Sequence, residues 1–325
     1  MTNPIAEKII AWQQQHGRHQ LPWQQDVTPY KVLVSELMLQ QTQVVTVIPY
    51  FERWMRSFPT VEALAQADED QVMQHWQGLG YYARARNLHK AARFVAERGA
   101  FPEDLTELLQ VPGVGRYTAG AIMSFAYDRV GPIVDGNVRR LFARLFALDG
   151  VPNSTALEKK LWALAEQYTP QHDNRRFAQG LLDLGATVCK PKAPLCDQCP
   201  LAADCQALAR NAIDQYPNPK PKKQIPVKAG HFLLLQLDGC VYVEKRPSPG
   251  IWAALWCLPQ LEQPPQAAQL HGGFSHQFSH YKLEASVWLD NSVQDMPSTG
   301  RWVALANLDQ IGLPAPLKVY LSGLK

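Results

Sequence analysis

From the N-terminus to about residue 210, apolar residues recur at three- and four-residue spacing, which predicts a helical region. The segments FERWMRSF, VEALAQA, LEKKLWALAEQY and NRRFAQGLLDLGATV carry the pattern, with Pro and Gly as punctuation. The pattern then breaks. Residues 211–229, NAIDQYPNPKPKKQIPVKA, hold four Pro, four Lys and one acid, a composition that predicts an extended, solvated linker. Beyond it, HFLLLQLDGCVYVEKR shows two β-rich runs around Asp238-Gly239, a hairpin signal, and LEASVWLD reads as another strand. The expected division is therefore a helical region at 1–210, a linker at 211–229 and a small α/β or mainly β domain at 230–325.

A chain of 325 residues with 46% hydrophobic content is large enough for two cores. No run of about 18 apolar residues occurs, so no membrane span is expected. The opening MTNPIAEKIIAWQQQ lacks the basic segment, apolar core and small-residue cleavage site of a signal peptide. A cytoplasmic, reducing compartment is expected, where disulfides do not persist. The six cysteines then need another explanation. A net charge of +3 announces no nucleic-acid partner, but its distribution is uneven. Residues 229–325 hold 6 basic and 7 acidic residues, the remainder 26 and 22. Between Asp70 and Glu97 there is no acid, while Arg84, Arg86, Lys90 and Arg93 stand beside Tyr81 and Tyr82. Such a stretch suits a phosphate backbone, and equally a solvated helix face.

Cys189, Cys196, Cys199 and Cys205 form a C-x6-C-x2-C-x5-C array within 17 residues. Four thiols so close, in a reducing compartment, read as a metal site for zinc or a [4Fe–4S] cluster. Structural zinc usually takes two Cys-x-x-Cys knuckles, and the irregular spacing fits a cubane better. Cys240 and Cys257, in the strand-rich part, read as small buried apolar residues.

LLQVPGVGRYTAGAIMSFA (108–126) sets Val-Pro-Gly-Val-Gly between two helical patterns. Gly113 and Gly115 permit a tight turn with N–H groups exposed at the next helix start, a point that holds a phosphate whatever the base. An ordinary helix–helix turn is the plainer alternative. It loses ground because no acid follows until Asp128.

Residues 28–44 read as one helix beginning at Thr28, with Pro29 in its first turn. Glu36 is its only acid, and Val32, Leu33 and Leu39 share its face. Desolvation there raises a carboxyl pKa and suits it to general acid work; a solvent-reaching Glu is the alternative. Asp135, in GPIVDGNVRR, sits at a helix start as an N-cap, where N–H donors favour the charged form. One protonated and one ionised carboxyl suit glycosidic bond cleavage.

The glycine hairpin, the Val-Asp-Gly-Asn and the cysteine loop together resemble the helix–hairpin–helix DNA glycosylase superfamily. SELMLQQTQV, GLGYYARARNL, VPGVGRYTAGAI, VDGNVRR and Phe-Ser-His narrow the resemblance to the A/G-specific adenine glycosylases, the MutY family. The resemblance implies a mainly α glycosylase fold with an iron–sulfur loop, followed by a Nudix-like C-terminal domain. It implies that Glu36 protonates adenine, Asp135 stabilises the sugar C1′, and Asn137 helps place the attacking water. Tyr117 stands where related glycosylase/lyases carry a nucleophilic lysine, so a monofunctional enzyme leaving an abasic site is expected. Trp23 and Leu39 match the adenine pocket wall. Gln41, Thr42, Leu79 and Tyr81 match residues that wedge into the duplex or contact the oxidised guanine. Phe-Ser-His occurs at 274–276 and 278–280. The second is the better match, because His276 precedes it as in H-x-F-S-H, and it assigns Ser279 to the oxidised guanine. The implied cofactor is a [4Fe–4S] cluster on the four cysteines. The implied partner is double-stranded DNA carrying adenine opposite 8-oxoguanine or guanine, met by a monomer away from membranes. No R-E-x-x-E-E box follows Leu258-Pro259, so the C-terminal region is expected to recognise rather than hydrolyse. A glycosylase/lyase similar to endonuclease III and a non-catalytic DNA-binding or redox protein are the competing readings.

Overall fold

The computed structural model describes residues 3–219, 224–247, 250–266, 268–290 and 300–324. Its α-helices are α1 (Pro4–His16), α2 (Pro29–Leu39), α3 (Val44–Ser57), α4 (Val61–Gln66), α5 (Glu69–Trp76), α6 (Ala83–Arg98), α7 (Leu105–Leu108), α8 (Arg116–Ala121), α9 (Gly136–Leu145), α10 (Thr155–Tyr168), α11 (Asn174–Asp183), α12 (Gln206–Ala209) and α13 (Ala315–Ser322). Strands β1 (Val227–Leu234), β2 (Gln236–Leu237), β3 (Cys240–Lys245), β4 (Trp256–Cys257), β5 (Gln260–Leu261), β6 (Gln269–Gln277), β7 (Lys282–Leu289) and β8 (Gly300–Ala304) all lie after residue 226. No helix among the described residues is long and apolar enough to cross a membrane. The chain forms two compact units. One comprises Met1–Met55, Thr60–Glu62 and Lys90–Lys222, the other Arg56–Pro59, Ala63–His89 and Lys223–Lys325. The helical stretch 63–89 thus groups with the strands, a departure from an unbroken 1–210 region.

In the first unit, local signals start the helices. Asn3 Oδ1 accepts from the Ile5 and Ala6 N–H groups at 3.2 and 3.4 Å, and Thr28 Oγ1 accepts from Lys31 N at 3.2 Å. Along α2, Tyr30 and every residue from Val32 to Met38 are buried. A helix apolar all round is a central core helix. It ends at Leu39 instead of continuing to residue 44, because Gln40 leaves helical geometry and Gln41 takes φ 56°. The expected hairpin forms: Val114 N donates to Val111 O at 3.0 Å, Gly113 takes φ 79°, and α8 begins after Gly115. Two helices pass into π-helical turns, α8 at Ile122–Ala126 and α11 at Leu184–Val188.

The expected solvated linker is only partly one. Tyr216 is buried against Ala147 and Ala207, Arg144 Nε donates to its carbonyl at 3.1 Å, and Asn218 accepts from Gly150 N. Val227–Ala229 already belong to β1. Residues 220–223 of the stretch lie outside the described residues.

In the second unit, one sheet has the order β5-β1-β7-β6, with β1 and β7 parallel and β6 and β7 antiparallel. The other joins β2, β3 and β4, with β8 also on β3. The Asp238-Gly239 turn is present, with φ 47° and 72° and Leu237 opposite Cys240. Positive φ at both residues is what a two-residue hairpin turn requires.

Candidate active site

Two cavities of about 520 and 460 Å³ share Arg18, Glu36, Leu39, Val44 and Leu182 in their walls, so they adjoin at these residues. The larger arm is lined by Trp23, Phe125 and Gln179 among others. Gln41, Thr42, Tyr117, Asp135 and Asn137 line the smaller. Glu36 comes from the middle of α2, Tyr117 from the start of α8 just past the hairpin, and Asp135 from the N-cap of α9. The 99-residue gap between the two acids closes because the buried helix α2 and the start of α9 line the same smaller cavity.

Glu36 is 4% exposed. Burial pushes its carboxyl up to about 7; a hydrogen bond from Tyr117 pulls it down, and the neighbouring Asp135 charge adds to the rise. Burial, then the Glu36 and Asp135 charges, hold the Tyr117 hydroxyl well above its ordinary value, so it remains a donor. Asp135 Oδ1 accepts from Val138 N at 2.7 Å and Oδ2 from Asn137 Nδ2 at 3.1 Å. Capping alone was expected to favour the ionised form. Burial outweighs it and raises the Asp135 pKa, against the Val138 and Asn137 N–H groups and the Arg139 and Arg140 charges. An asymmetry remains, because Asp135 has those donors and guanidinium groups around it, whereas Glu36 has Tyr117 and an anionic neighbour.

Arg140 ties this corner down. Its Nη2 donates to Asn137 Oδ1 at 2.9 Å and to Gly185 O at 2.6 Å, and its Nε donates to Cys189 O at 2.7 Å. The π-helical turn after α11 runs against Asn137 so closely that a Cβ on Gly185 would stand 2.5 Å from Asn137 Cβ. Gly185→Ala is accordingly expected to displace Asn137 and to lower stability by about 1–3 kcal/mol, the usual cost of overpacking. Thermal melting checks this, and an unchanged midpoint would contradict the contact.

Past that turn, all four array cysteines line a single cavity with Leu141, Arg144, Leu145, Val188, Leu201, Leu208 and Ile213. Arg144, 3% exposed, donates from Nη1 to Cys189 Sγ at 3.4 Å and to Lys190 O at 2.8 Å, and from Nη2 to Pro191 O at 3.2 Å. Backbone N–H groups of Leu201 and of Ala207 and Leu208 favour thiolates at Cys199 and Cys205. Burial nonetheless pushes Cys199 up to about 11 and raises Cys196 and Cys205. Among the described residues no three His, Cys, Asp or Glu side chains gather around one point as a single-ion site. Four thiols around an apolar hollow, with N–H donors and one guanidinium aimed at sulfur, are a donor set that fits an iron–sulfur cluster. Cys257 is fully buried, as expected, whereas Cys240 is half-buried.

Other expected site residues lie elsewhere. Gly113 and Gly115 form the hairpin. Leu79, Tyr81 and Ser279 belong to the second unit. There Leu79 is 6% and Tyr81 50% exposed, and Ser279 lies in the β6–β7 turn, its hydroxyl 3.4 Å from His280 Nδ1. Of the basic stretch, Lys90 and Arg93 are exposed. Arg84 is buried, and Arg86 donates to Ala253 O, so two of the four expected phosphate partners are used inside the fold. Sequence reasoning missed Arg18, Arg140 and Arg144. Arg18 donates to buried Asp183 through both its backbone N, at 2.9 Å, and Nε, at 2.7 Å. Arg140 and Arg144 were visible as a four-residue pair beside Leu141 and Leu145, on a face too apolar for solvent.

A helical fold with a glycine hairpin, and an acid pair sunk in a cavity beside it, define a base-removing DNA-repair enzyme. Residues 34–167 match the model of the HhH-GPD superfamily base excision DNA repair proteins, and residues 230–323 match that of the NUDIX domain. The fold is similar to a thermostable thymine-DNA glycosylase, with 28% identity and a TM-score of 0.57 over 63% of this chain and 95% of that one. It also resembles, at 22% identity and TM-score 0.53, an endonuclease III in a non-covalent DNA complex, over 64% of this chain and 94% of that one. Among curated proteins, the adenine DNA glycosylase of Buchnera aphidicola subsp. Schizaphis graminum is 37% identical over 99% of both chains. The Homo sapiens adenine DNA glycosylase is 45% identical over 64% of this chain and 40% of its own. The chain belongs to the adenine DNA glycosylases, base excision repair enzymes that hydrolyse the N-glycosidic bond of adenine in double-stranded DNA.

Proposed function

We propose that the enzyme removes adenine opposite 8-oxoguanine or guanine, acts as a monomer in the cytoplasm, and leaves an abasic site without cutting the strand. The observation that carries this reading is a buried carboxyl at about 7, Glu36, facing a second carboxylate in one cavity. Extrusion of the target base from the stack costs a few kcal/mol. Trp23 and Leu39 then wall the flipped adenine. Glu36 gives its proton to the base and makes it a leaving group, while Tyr117 donates to the carboxylate left behind. Asp135 faces the positive charge developing at C1′, and Asn137, held by Arg140, orients the water that captures it. Tyr117 is a phenol where a lyase needs an amine, so no Schiff base forms there.

Gly113 and Gly115 present the hairpin to a phosphate, and Gln41, Thr42, Leu79 and Tyr81 meet the duplex at the opposing base. In the 211–229 and 230–325 division, the last segment checks that base through Ser279. Cys189, Cys196, Cys199 and Cys205 would hold a [4Fe–4S] cluster that braces the loop carrying Lys190 and Lys192. About four iron atoms per chain, with broad visible absorption, are expected on anaerobic purification. Stoichiometric zinc in colourless protein would count against the cluster.

Single-turnover adenine release, from duplexes with adenine opposite 8-oxoguanine, guanine or thymine, tests the reading. Release from the first two, strand breaks only after alkali, and inertness opposite thymine are expected. Breaks without alkali would restore the lyase reading.

A further inference from the structure

The turn between α5 and α6, Gln77–Tyr82, is over-determined from inside and out. Inside, Trp76 Nε1 donates to Gly80 O at 3.0 Å, and Arg84 Nη2 donates to Leu79 O at 3.0 Å and Gly80 O at 3.1 Å. The Arg84 guanidinium lies 5.3 Å from the Trp76 ring and 5.4 Å from the Tyr81 ring. Tyr81 is held at φ 48°, a conformation that a bulky residue keeps only when its surroundings enforce it. Its side chain is the half-exposed one, between buried Leu79 and Tyr82.

Outside, the chain from residue 245 onward grips both ends of this turn. Leu313 O accepts from Gln77 Nε2 at 3.2 Å and from Tyr82 Oη at 3.4 Å. Lys318 Nζ donates to Gln77 Oε1 at 3.1 Å, and Gln74 Nε2 donates to Asp309 O at 2.8 Å. Arg86, on the first turn of α6, donates to Ala253 O, a carbonyl set between the left-handed residues Trp252 (φ 57°) and Ala254 (φ 65°). At the start of α5, Asp70 accepts from Lys245 Nζ at 2.6 Å and Trp256 Nε1 at 3.2 Å. These bonds anchor the positions flanking Tyr81 and leave its ring outside.

We propose that Leu313, Lys318 and Ala253 are a positioning brace for the Gln77–Tyr82 turn, so that the C-terminal segment sets partner-base specificity through Tyr81 as well as by its own loops. This rests on the reading that Tyr81 meets the duplex at the opposing base. The brace explains why the expected basic stretch spends Arg84 and Arg86 on carbonyls. They fix the display of an aromatic ring instead of a phosphate.

The test compares the full chain with Gln77→Ala/Tyr82→Phe, Lys318→Ala, Lys318→Arg and Tyr81→Ala. Two readouts apply: adenine release opposite 8-oxoguanine and opposite guanine, and the fluorescence of 2-aminopurine placed beside the partner base. A misplaced contact costs up to about 100-fold, so the double variant is expected to lose about tenfold opposite 8-oxoguanine and less than about threefold opposite guanine. It should also lose the fluorescence rise on binding, as Tyr81→Ala does. Lys318→Ala, at a partly exposed position where folding is safe, should lose part of both, and Lys318→Arg should restore them. If the double variant and Lys318→Ala keep discrimination and fluorescence while Tyr81→Ala loses them, the brace is overturned. If Tyr81→Ala also keeps them, the underlying reading of Tyr81 fails, and the brace with it.

Discussion

Glu36→Gln is expected to bind mispaired duplex normally and to lose adenine release by about 10²–10⁴-fold or more, the range that general acid catalysis supplies. Glutamine keeps the shape and an acceptor for Tyr117 but has no proton to give. In the parent enzyme, release should fall about tenfold per pH unit above about 7, because Glu36 ionises there and the acid form disappears. The same substitution should change stability in the opposite sense. A carboxyl raised from 4.5 to about 7 in the folded state favours folding fully only below 4.5. That advantage is lost as pH rises through the folded value, leaving a cost of roughly 3 kcal/mol at 1.36 kcal/mol per unit. Glu36→Gln should therefore melt several degrees above the parent at pH 8, and the gain should vanish towards pH 4.5. Retained release, or no gain in melting temperature at pH 8, would remove Glu36 from the acid role.

Asp135→Asn ranks next. Asparagine can still cap α9 through its Oδ1, and burial already raises the Asp135 pKa, so the fold should hold and the melting temperature above neutrality should not fall. What goes is the anion opposite the developing sugar cation and the acceptor for Asn137 Nδ2. Loss of one preorganised electrostatic partner costs about 10²–10³ in rate. A second signature separates this from local damage. Asp135 raises the Glu36 pKa, so neutralising it lowers that pKa and moves the alkaline fall in rate to lower pH. A pH profile that keeps its midpoint would show that the two groups do not feel each other.

The helical and strand-rich halves, the hairpin and the Asp238-Gly239 turn were legible because each rests on local chemistry: spacing, caps and turn residues. Glu36 was legible as a desolvated acid because its helical neighbours are apolar. The break at Gln41 was not, since no Pro or Gly marks it and a glutamine takes the left-handed conformation there. The N-cap was read correctly at Asp135, but its electrostatic consequence was inverted, because capping is local and burial is not. The arginines tell the same story. Arg84 and Arg86 read as a basic face and Arg140 and Arg144 carry no sequence signal of their own, yet all four serve backbone carbonyls, Arg84 those of the preceding turn and the other three those of distant parts of the chain. Tyr216 packs on Ala147 and Ala207, a contact that the polar composition of its own segment does not announce.

The second unit is built from segments far apart in sequence, Ala63–His89 and Lys223–Lys325. During synthesis the early segment emerges first and waits while more than a hundred residues follow, roughly 7–27 s at ordinary elongation rates. Throughout that interval Asp70, Gln77 and Tyr82 lack the carbonyls and cations they will bind. The nascent chain therefore commits its hairpin and helices early and completes the second unit last, by contacts of high sequence separation that close slowly. A fragment ending before residue 223 would leave the faces of Met73 and Tyr82 permanently uncovered, a liability for aggregation rather than a smaller enzyme.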